Sequence, residues 1–166
     1  MTKLVHWVDT LLKWFLASLM AGIVVVVCWQ VVSRYVLGAP SSITEELSRC
    51  LLIWIGMIGA AFAYRTGVHL GLDIVTRRLK VERQRHVQLV LTAAVVLFAF
   101  NVMVIGGGNL VWLTYELNQM SAALGIRMAY IYIAIPLSGM LIVFYGLSQL
   151  YFGIRQQPMQ PVEGMH

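Results

Sequence analysis

Two groups of charged residues, one before and one after a single apolar run, are the positions in this sequence most able to do chemistry. They are Glu45, Glu46 and Arg49 before the run and Arg65, His69 and Asp73 after it. Such residue types in membrane segments relay protons, bind cations or pair with one another. For the first group three interpretations stay open: a helix end with one ion pair, a contact with another subunit, or a proton or cation relay. For the second group, a structural tie and proton transfer both stay open.

The composition places these groups in a membrane protein. Of the 166 residues, 60% are hydrophobic and 11% are charged, whereas soluble domains carry roughly 25% charged residues. The net charge of +5 fits contact with the anionic phospholipids of a membrane surface. We expect no nucleic acid partner, because a protein that recognises nucleic acid needs a water-exposed surface for that contact.

Four apolar intervals are long enough to cross a bilayer as helices. A helix needs about 20 residues to cross about 30 Å of hydrocarbon. The sequence therefore predicts an all-α integral membrane protein with four transmembrane helices, over residues of about 12–35, 43–65, 87–115 and 129–153. No hydrophilic connection is long enough for a separate soluble domain, so we expect residues 1–166 to form one membrane domain.

The second span must include the first charged group. The apolar stretch between Arg49 and Arg65 is too short by itself, so a full crossing has to begin near Ile43. Ser42 and Glu45 have the spacing of a capping box, in which each side chain satisfies a backbone N–H at the helix start. Glu45 and Arg49 lie one turn apart, which predicts an ion pair. We therefore expect this group at the membrane surface.

Lysine and arginine are distributed unevenly between the two sides of the predicted membrane. Nine lie near the termini or between the second and third spans, and three lie in the other two connections. The positive-inside rule therefore predicts cytoplasmic N- and C-termini. Residues 67–85 combine an apolar stripe with several cations, which is typical of an amphipathic helix lying in the membrane interface. This connector is expected to lie on phospholipid, to pack on a partner protein, or both.

Small and polar residues inside the spans predict helix contacts. Asn101 and Asn109 place amides in the third span, and each needs a neighbouring helix to supply a hydrogen-bond partner. Gly56 and Ala60 are small residues four positions apart, a spacing that lets helices pack closely. The glycines at 106–108 predict a close helix approach or a local break in the third span.

Motifs for catalysis or cofactor binding are missing from the sequence. It has no H-E-x-x-H, G-x-S-x-G or Walker A pattern, which argues against metalloprotease, serine hydrolase and ATPase activity. The histidines lie at span ends or tails, where axial ligation of a haem inside the membrane is not possible. We predict no enzyme activity, no cofactor and no metal site.

Several short motifs along the chain are typical of one protein family. They are Arg34-Tyr35, Glu45-Glu46-Leu47 with Arg49, Trp54, Gly59-Ala60, H-L-G-L-D at 69–73 and A-I-P-L-S-G at 134–139. Together they resemble the small membrane subunit of tripartite ATP-independent periplasmic (TRAP) transporters, and the likeness covers nearly the whole chain. Ile43 stands where that family often has an aromatic residue, and Leu70 and Leu72 replace the more usual Ile and Val.

The resemblance implies a system of three parts in the bacterial inner membrane and periplasm. A periplasmic substrate-binding protein captures an organic acid such as sialic acid or a C4-dicarboxylate, and a large membrane subunit carries it inward with sodium. The small subunit enlarges the scaffold against which the large subunit moves. A self-contained small transporter and a membrane-bound redox or quinone enzyme are the alternatives from other classes.

The resemblance also implies structural or interface roles for eight residues. They are Arg34, Glu45, Glu46, Arg49, Trp54, Arg65, His69 and Asp73. The first charged group is expected to fix the periplasmic end of the second span, and the second group to fix its cytoplasmic end.

Overall fold

The computed structural model describes residues 2–66 and 81–154, and these ranges are helical with short connections. The helices are α1 (Thr2–Tyr35), α2 (Ser42–Arg65), α3 (Val81–Phe98), a π-helical segment (Ala99–Gly106), α4 (Gly107–Glu116), α5 (Met128–Tyr132) and α6 (Ala134–Ile154). The predicted all-α membrane fold with four transmembrane helices is confirmed. The predicted amphipathic connector at 67–85 falls largely outside the described residues and stays a prediction.

Within residues 2–66 and 81–154, four segments are long and apolar enough to cross a membrane. They are His6–Tyr35, Ser42–Arg65, Leu89–Glu116 and Met128–Leu150, here called the first to fourth spans. The third span runs through α3, the π-helical segment and α4, and the fourth runs through α5 and α6. Helix α1 begins well before the predicted first span, because the exposed Lys13 does not end it. A lysine on a membrane helix can extend its long stem so that the ammonium group reaches the interface.

The spans are arranged in a row in the order first, second, fourth and third. Within the described ranges, the backbone of the first span comes close to that of the second span alone, and the third span comes close to the fourth alone. The core lies where the two inner spans meet, at Ile58, Ala61, Tyr64, Ile142 and Tyr145. The row therefore has two edges and two broad apolar faces.

Glycines on the fourth span let the third span approach closely. A Cβ added at Gly139 would lie 2.6 Å from the Cβ of Met103, and one added at Gly146 would collide with Val96. On the third span, a Cβ added at Gly107 would lie 2.8 Å from Cγ2 of Ile135. Within the glycine run at 106–108, Gly107 thus serves a close helix approach, whereas a Cβ added at Gly108 would meet no atom within 4 Å.

Gly139→Ala is expected to destabilise the isolated chain by about 1–3 kcal/mol, the usual cost of overpacking a filled interface. Gly56→Ala is the matched control, because a Cβ added at Gly56 meets no atom within 4 Å. That control should be neutral or stabilising, since alanine favours a helix over glycine by roughly 1 kcal/mol. Unfolding of both variants in mixed detergent micelles tests the difference. Equal effects of the two substitutions would show that the third and fourth spans do not cross at Gly139.

The predicted capping box at the start of the second span is wrong. The N-cap residue is Ser41, and its side chain makes no capping hydrogen bond. The backbone carbonyl of Ser41 instead accepts hydrogen bonds from the Thr44 hydroxyl at 3.0 Å and from the Glu45 N–H at 3.3 Å. A capping box must start at the N-cap residue. Ser42 is already inside the helix, so Ser42 and Glu45 cannot form one.

Candidate functional site

The first charged group divides into an exposed pair and a partly buried anchor. Arg49 Nη2 lies 3.7 Å from Glu45 Oε1, with both side chains more than half exposed. Ion pairs of this kind contribute about 0–1 kcal/mol. The predicted pair therefore forms, but it contributes little to holding the helix in place.

Glu46 ties the second span to the connection between the third and fourth spans. Its Oε2 accepts hydrogen bonds from the backbone N–H groups of Ala123 at 2.6 Å and Leu124 at 3.1 Å. The Ser121 side chain is a further hydrogen-bond partner of this carboxylate. Hydrogen bonds to a charged acceptor are roughly twice as strong as neutral ones. Glu46 is therefore the main polar anchor at the N-terminal end of the second span.

The connection that Glu46 holds is an ordered turn. The Ser121 N–H donates to the Ile126 carbonyl at 2.8 Å, and the Met128 N–H donates to the Gln119 carbonyl at 2.9 Å. Gly125 has a positive φ of 63°, which glycine adopts without a steric penalty. The guanidinium carbon of Arg127 stacks 4.7 Å from the centre of the Tyr115 ring. The turn therefore presents a fixed surface beside the N-terminal end of the second span.

A buried cluster of three side chains ties the C-terminal end of the second span to two other spans. Asp9 from the first span, Arg65 from the second and Tyr145 from the fourth meet there. Arg65 Nε lies 3.4 Å from Asp9 Oδ2, and the Tyr145 hydroxyl donates to Asp9 Oδ1 at 2.8 Å. The Arg65 guanidinium carbon also lies 5.8 Å from the centre of the Tyr145 ring. This cluster, called here the Asp9 cluster, joins three of the four spans.

Sequence reasoning missed Asp9. Its side chain is only 10% exposed, so its charge is stabilised by these contacts rather than by water. One signal was available: Asp9 is the acidic residue of α1, and a membrane helix rarely carries a carboxylate without a partner. Nothing in the spacing of residues pointed to Tyr145, which is separated from Asp9 by 136 positions in the sequence.

The remaining predicted site residues are scattered. Trp54 is half-buried and its ring packs edge-on against Phe15 of the first span, with centres 6.1 Å apart. Arg34 is exposed, and its side chain makes no ion pair or hydrogen bond within the described ranges. His69 and Asp73 lie outside the described residues, so their proposed tie to the second span stays a prediction. The six of the eight predicted residues that the structure describes are therefore not gathered into one site.

The charged side chains described above form two ties between helices. Within residues 2–66 and 81–154, no group of three or more His, Cys, Asp or Glu side chains could hold a metal ion. The Asp9 carboxylate is already engaged by a cation and a phenol, and the Glu46 carboxylate by backbone N–H groups. This arrangement can fix helices relative to one another.

Comparison with known proteins supplies the family. The family model described as tripartite ATP-independent periplasmic transporters, DctQ component, matches residues 23–156. The C4-dicarboxylate TRAP transporter small permease protein DctQ of Rhodobacter capsulatus is 34% identical over 109 residues, which cover 66% of this chain and 47% of that protein. The chain thus spans about half the length of this relative.

Two further relatives carry other names. The sialic acid TRAP transporter small permease protein SiaQ of Vibrio cholerae is 27% identical over 138 residues, which cover 80% of this chain and 75% of that protein. The sialic acid TRAP transporter permease protein SiaT of Haemophilus influenzae is 24% identical over 143 residues, which cover 83% of this chain and 22% of that protein. Since the family model matches most of the sequence, this chain belongs to the DctQ component family of the tripartite ATP-independent periplasmic transporters.

Proposed function

We propose that this chain is a rigid scaffold for a larger permease component in sodium-driven uptake of an organic acid. Its family is a transporter permease component, and its four apolar helices make it a multi-pass membrane protein. The observation that carries the scaffold role is the pair of ties at the two ends of the second span. Glu46 fixes one end and the Asp9 cluster fixes the other.

Because the second span is tied to its neighbours at both of its ends, the helices of the row resist sliding against one another. The apolar intervals of all four spans, at 14–33, 50–64, 87–115 and 128–154, contain no ionised side chain that could coordinate a solute. Coupling sites for ions in membrane transporters use polar or ionised residues inside the spans. We therefore assign the substrate and sodium sites to the larger component.

The substrate class is proposed from the relatives. One is named for C4-dicarboxylates and two are named for sialic acid. Both compounds are organic acids, which supports a substrate that carries a carboxylate group. The proposed partners are a large membrane subunit and a periplasmic substrate-binding protein.

The longer relative supports a large partner. In the Haemophilus permease, the segment similar to this chain accounts for only 22% of the polypeptide. A small permease segment is therefore found covalently joined to a much longer permease chain.

The membrane placement is proposed from charge and from the outer surface of the first span. The uneven lysine and arginine distribution favours cytoplasmic termini in the bacterial inner membrane. An apolar groove of about 860 Å³ runs along the first span beside Trp7, Leu11, Trp14 and Phe15. Trp7 and Trp14 are about three-quarters exposed there, and tryptophans of this kind anchor helices at the lipid interface. Phospholipid is the proposed occupant.

Reconstitution in proteoliposomes tests the scaffold role. Radiolabelled C4-dicarboxylate or sialic acid should enter vesicles that hold both membrane components, with the binding protein and a sodium gradient supplied outside. Vesicles holding this chain alone should show no uptake. Substitutions in this chain that leave the complex assembled should leave the number of sodium ions per substrate unchanged. Uptake by this chain alone would instead support a self-contained transporter, and a changed sodium stoichiometry would contradict a static role.

A further inference from the structure

Two amides of the third span point away from the rest of the chain. Asn101 and Asn109 are both exposed, and the third span is one edge of the row. Asn101 Nδ2 donates to the Leu97 carbonyl of its own helix at 2.8 Å. Across residues 2–66 and 81–154, neither the Asn101 side-chain oxygen nor the Asn109 amide has a hydrogen-bond partner. The partner helix that the sequence predicts for them is therefore not among the described helices.

Both amides lie at depths where water is scarce. The span Leu89–Glu116 is about 42 Å long at 1.5 Å per residue, so Asn101 lies near its middle and Asn109 about 10 Å from the Glu116 end. The hydrocarbon region is about 30 Å thick, which places both amides inside it. No water is available there to satisfy a polar group, and an acyl chain has no donor or acceptor to offer.

The π-helical segment brings the two amides toward one face. Two residues eight positions apart in an α-helix are rotated by about 80° from each other. Because the wider π-helical turn of Ala99–Gly106 rotates the chain less per residue, this angle becomes smaller here. Ile105 lies between the two amides and is 48% exposed. Asn101, Ile105 and Asn109 therefore form one outward stripe, called here the amide face.

We propose that the amide face is the docking surface for a transmembrane helix of the larger permease component. That helix would carry hydrogen-bonding groups at the depths of the two amides, as interacting membrane helices do. This inference rests on the proposed function and names the surface that serves it. The Haemophilus permease, in which a similar segment belongs to a much longer chain, shows that further permease sequence accompanies such a segment.

Site-specific photo-crosslinking in membranes tests the docking surface. The full chain, with a photoreactive phenylalanine derivative at Ile105, is produced together with the large component of its transporter. Irradiation should yield an adduct whose mass is the sum of the two proteins. The matched control carries the same group at Val25, which is 68% exposed on the first span at the opposite edge of the row. That control should give at most a trace of this adduct.

A pair of double variants tests the role of the amides. Asn101→Leu with Asn109→Leu keeps the side-chain size but removes the hydrogen-bonding groups, and it should lower the recovered adduct at least several-fold. Asn101→Gln with Asn109→Gln should retain it. Because the crosslinker at Ile105 also works in the otherwise native chain, a leucine variant that fails to insert does not prevent the test.

The outcomes separate this inference from the proposed function. If the large component co-purifies with the native chain but the Ile105 adduct contains a second copy of this chain or lipid alone, the docking surface is wrong and the scaffold role stands. If the large component does not co-purify at all, the proposed function fails together with the docking surface.

Discussion

Asp9→Asn is expected to destabilise the chain by about 3–5 kcal/mol, the usual cost of removing one partner of a buried ion pair. The substitution takes away the negative charge that faces Arg65 at 3.4 Å and weakens the hydrogen bond from Tyr145. The side chains of Arg65 and Asp9 are both less than one-fifth exposed, so solvent replaces little of the lost interaction. Unfolding of the purified protein in mixed micelles measures the change in free energy.

Two variants make the Asp9 result specific. Lys13→Gln removes an exposed charge from the same helix and should change the unfolding free energy by less than about 1 kcal/mol. Tyr145→Phe removes one hydrogen bond to a charged group and should cost about 1.5–3 kcal/mol. If Asp9→Asn were no more destabilising than Lys13→Gln, the Asp9 cluster would not hold the row together.

Glu46→Ala is expected to release the turn that joins the third and fourth spans. The turn loses the charged acceptor of the Ala123 and Leu124 N–H groups, and hydrogen bonds to a charged acceptor are roughly twice as strong as neutral ones. Because a hydrogen-bonded amide exchanges when its bond opens locally, hydrogen exchange at these two positions should quicken several-fold. Exchange measured by mass spectrometry on the intact membrane protein gives this rate.

The neighbouring glutamate is the matched control for Glu46. Glu45→Ala breaks only the exposed pair with Arg49 and should leave exchange in the turn near the native rate. Glu46→Gln should fall between the two, because a neutral acceptor forms weaker hydrogen bonds. Slow exchange at Ala123 and Leu124 in Glu46→Ala would mean that other contacts hold the turn.

The helices could be predicted from sequence because the bilayer sets their length. Long charge-free intervals leave few alternatives to crossing, and the ion pair of Glu45 and Arg49 follows from local helix geometry. The register of a cap is less certain, since serines at both 41 and 42 can start the same helix. One residue of difference there removed the predicted capping box.

The two ties could not be predicted, for physical reasons. Glu46 binds backbone N–H groups, which every residue except proline carries, so no residue type marks the partner. Asp9 and Tyr145 meet only because the first and fourth spans both pack beside the second. The helix order in the row decides that contact, and apolar patterns do not encode the order when most faces are apolar.

The central claim is that this chain stays rigid while the transporter works. Spin labels at Val25 of the first span and Val90 of the third, both 68% exposed, report the width of the row after Cys28 and Cys50 are replaced by serine. Pulsed electron resonance then measures this distance in the assembled complex, with and without sodium and substrate. A scaffold predicts the same distance distribution in both states. A distribution that shifts by several ångströms when substrate and sodium bind would show that this chain takes part in the movement.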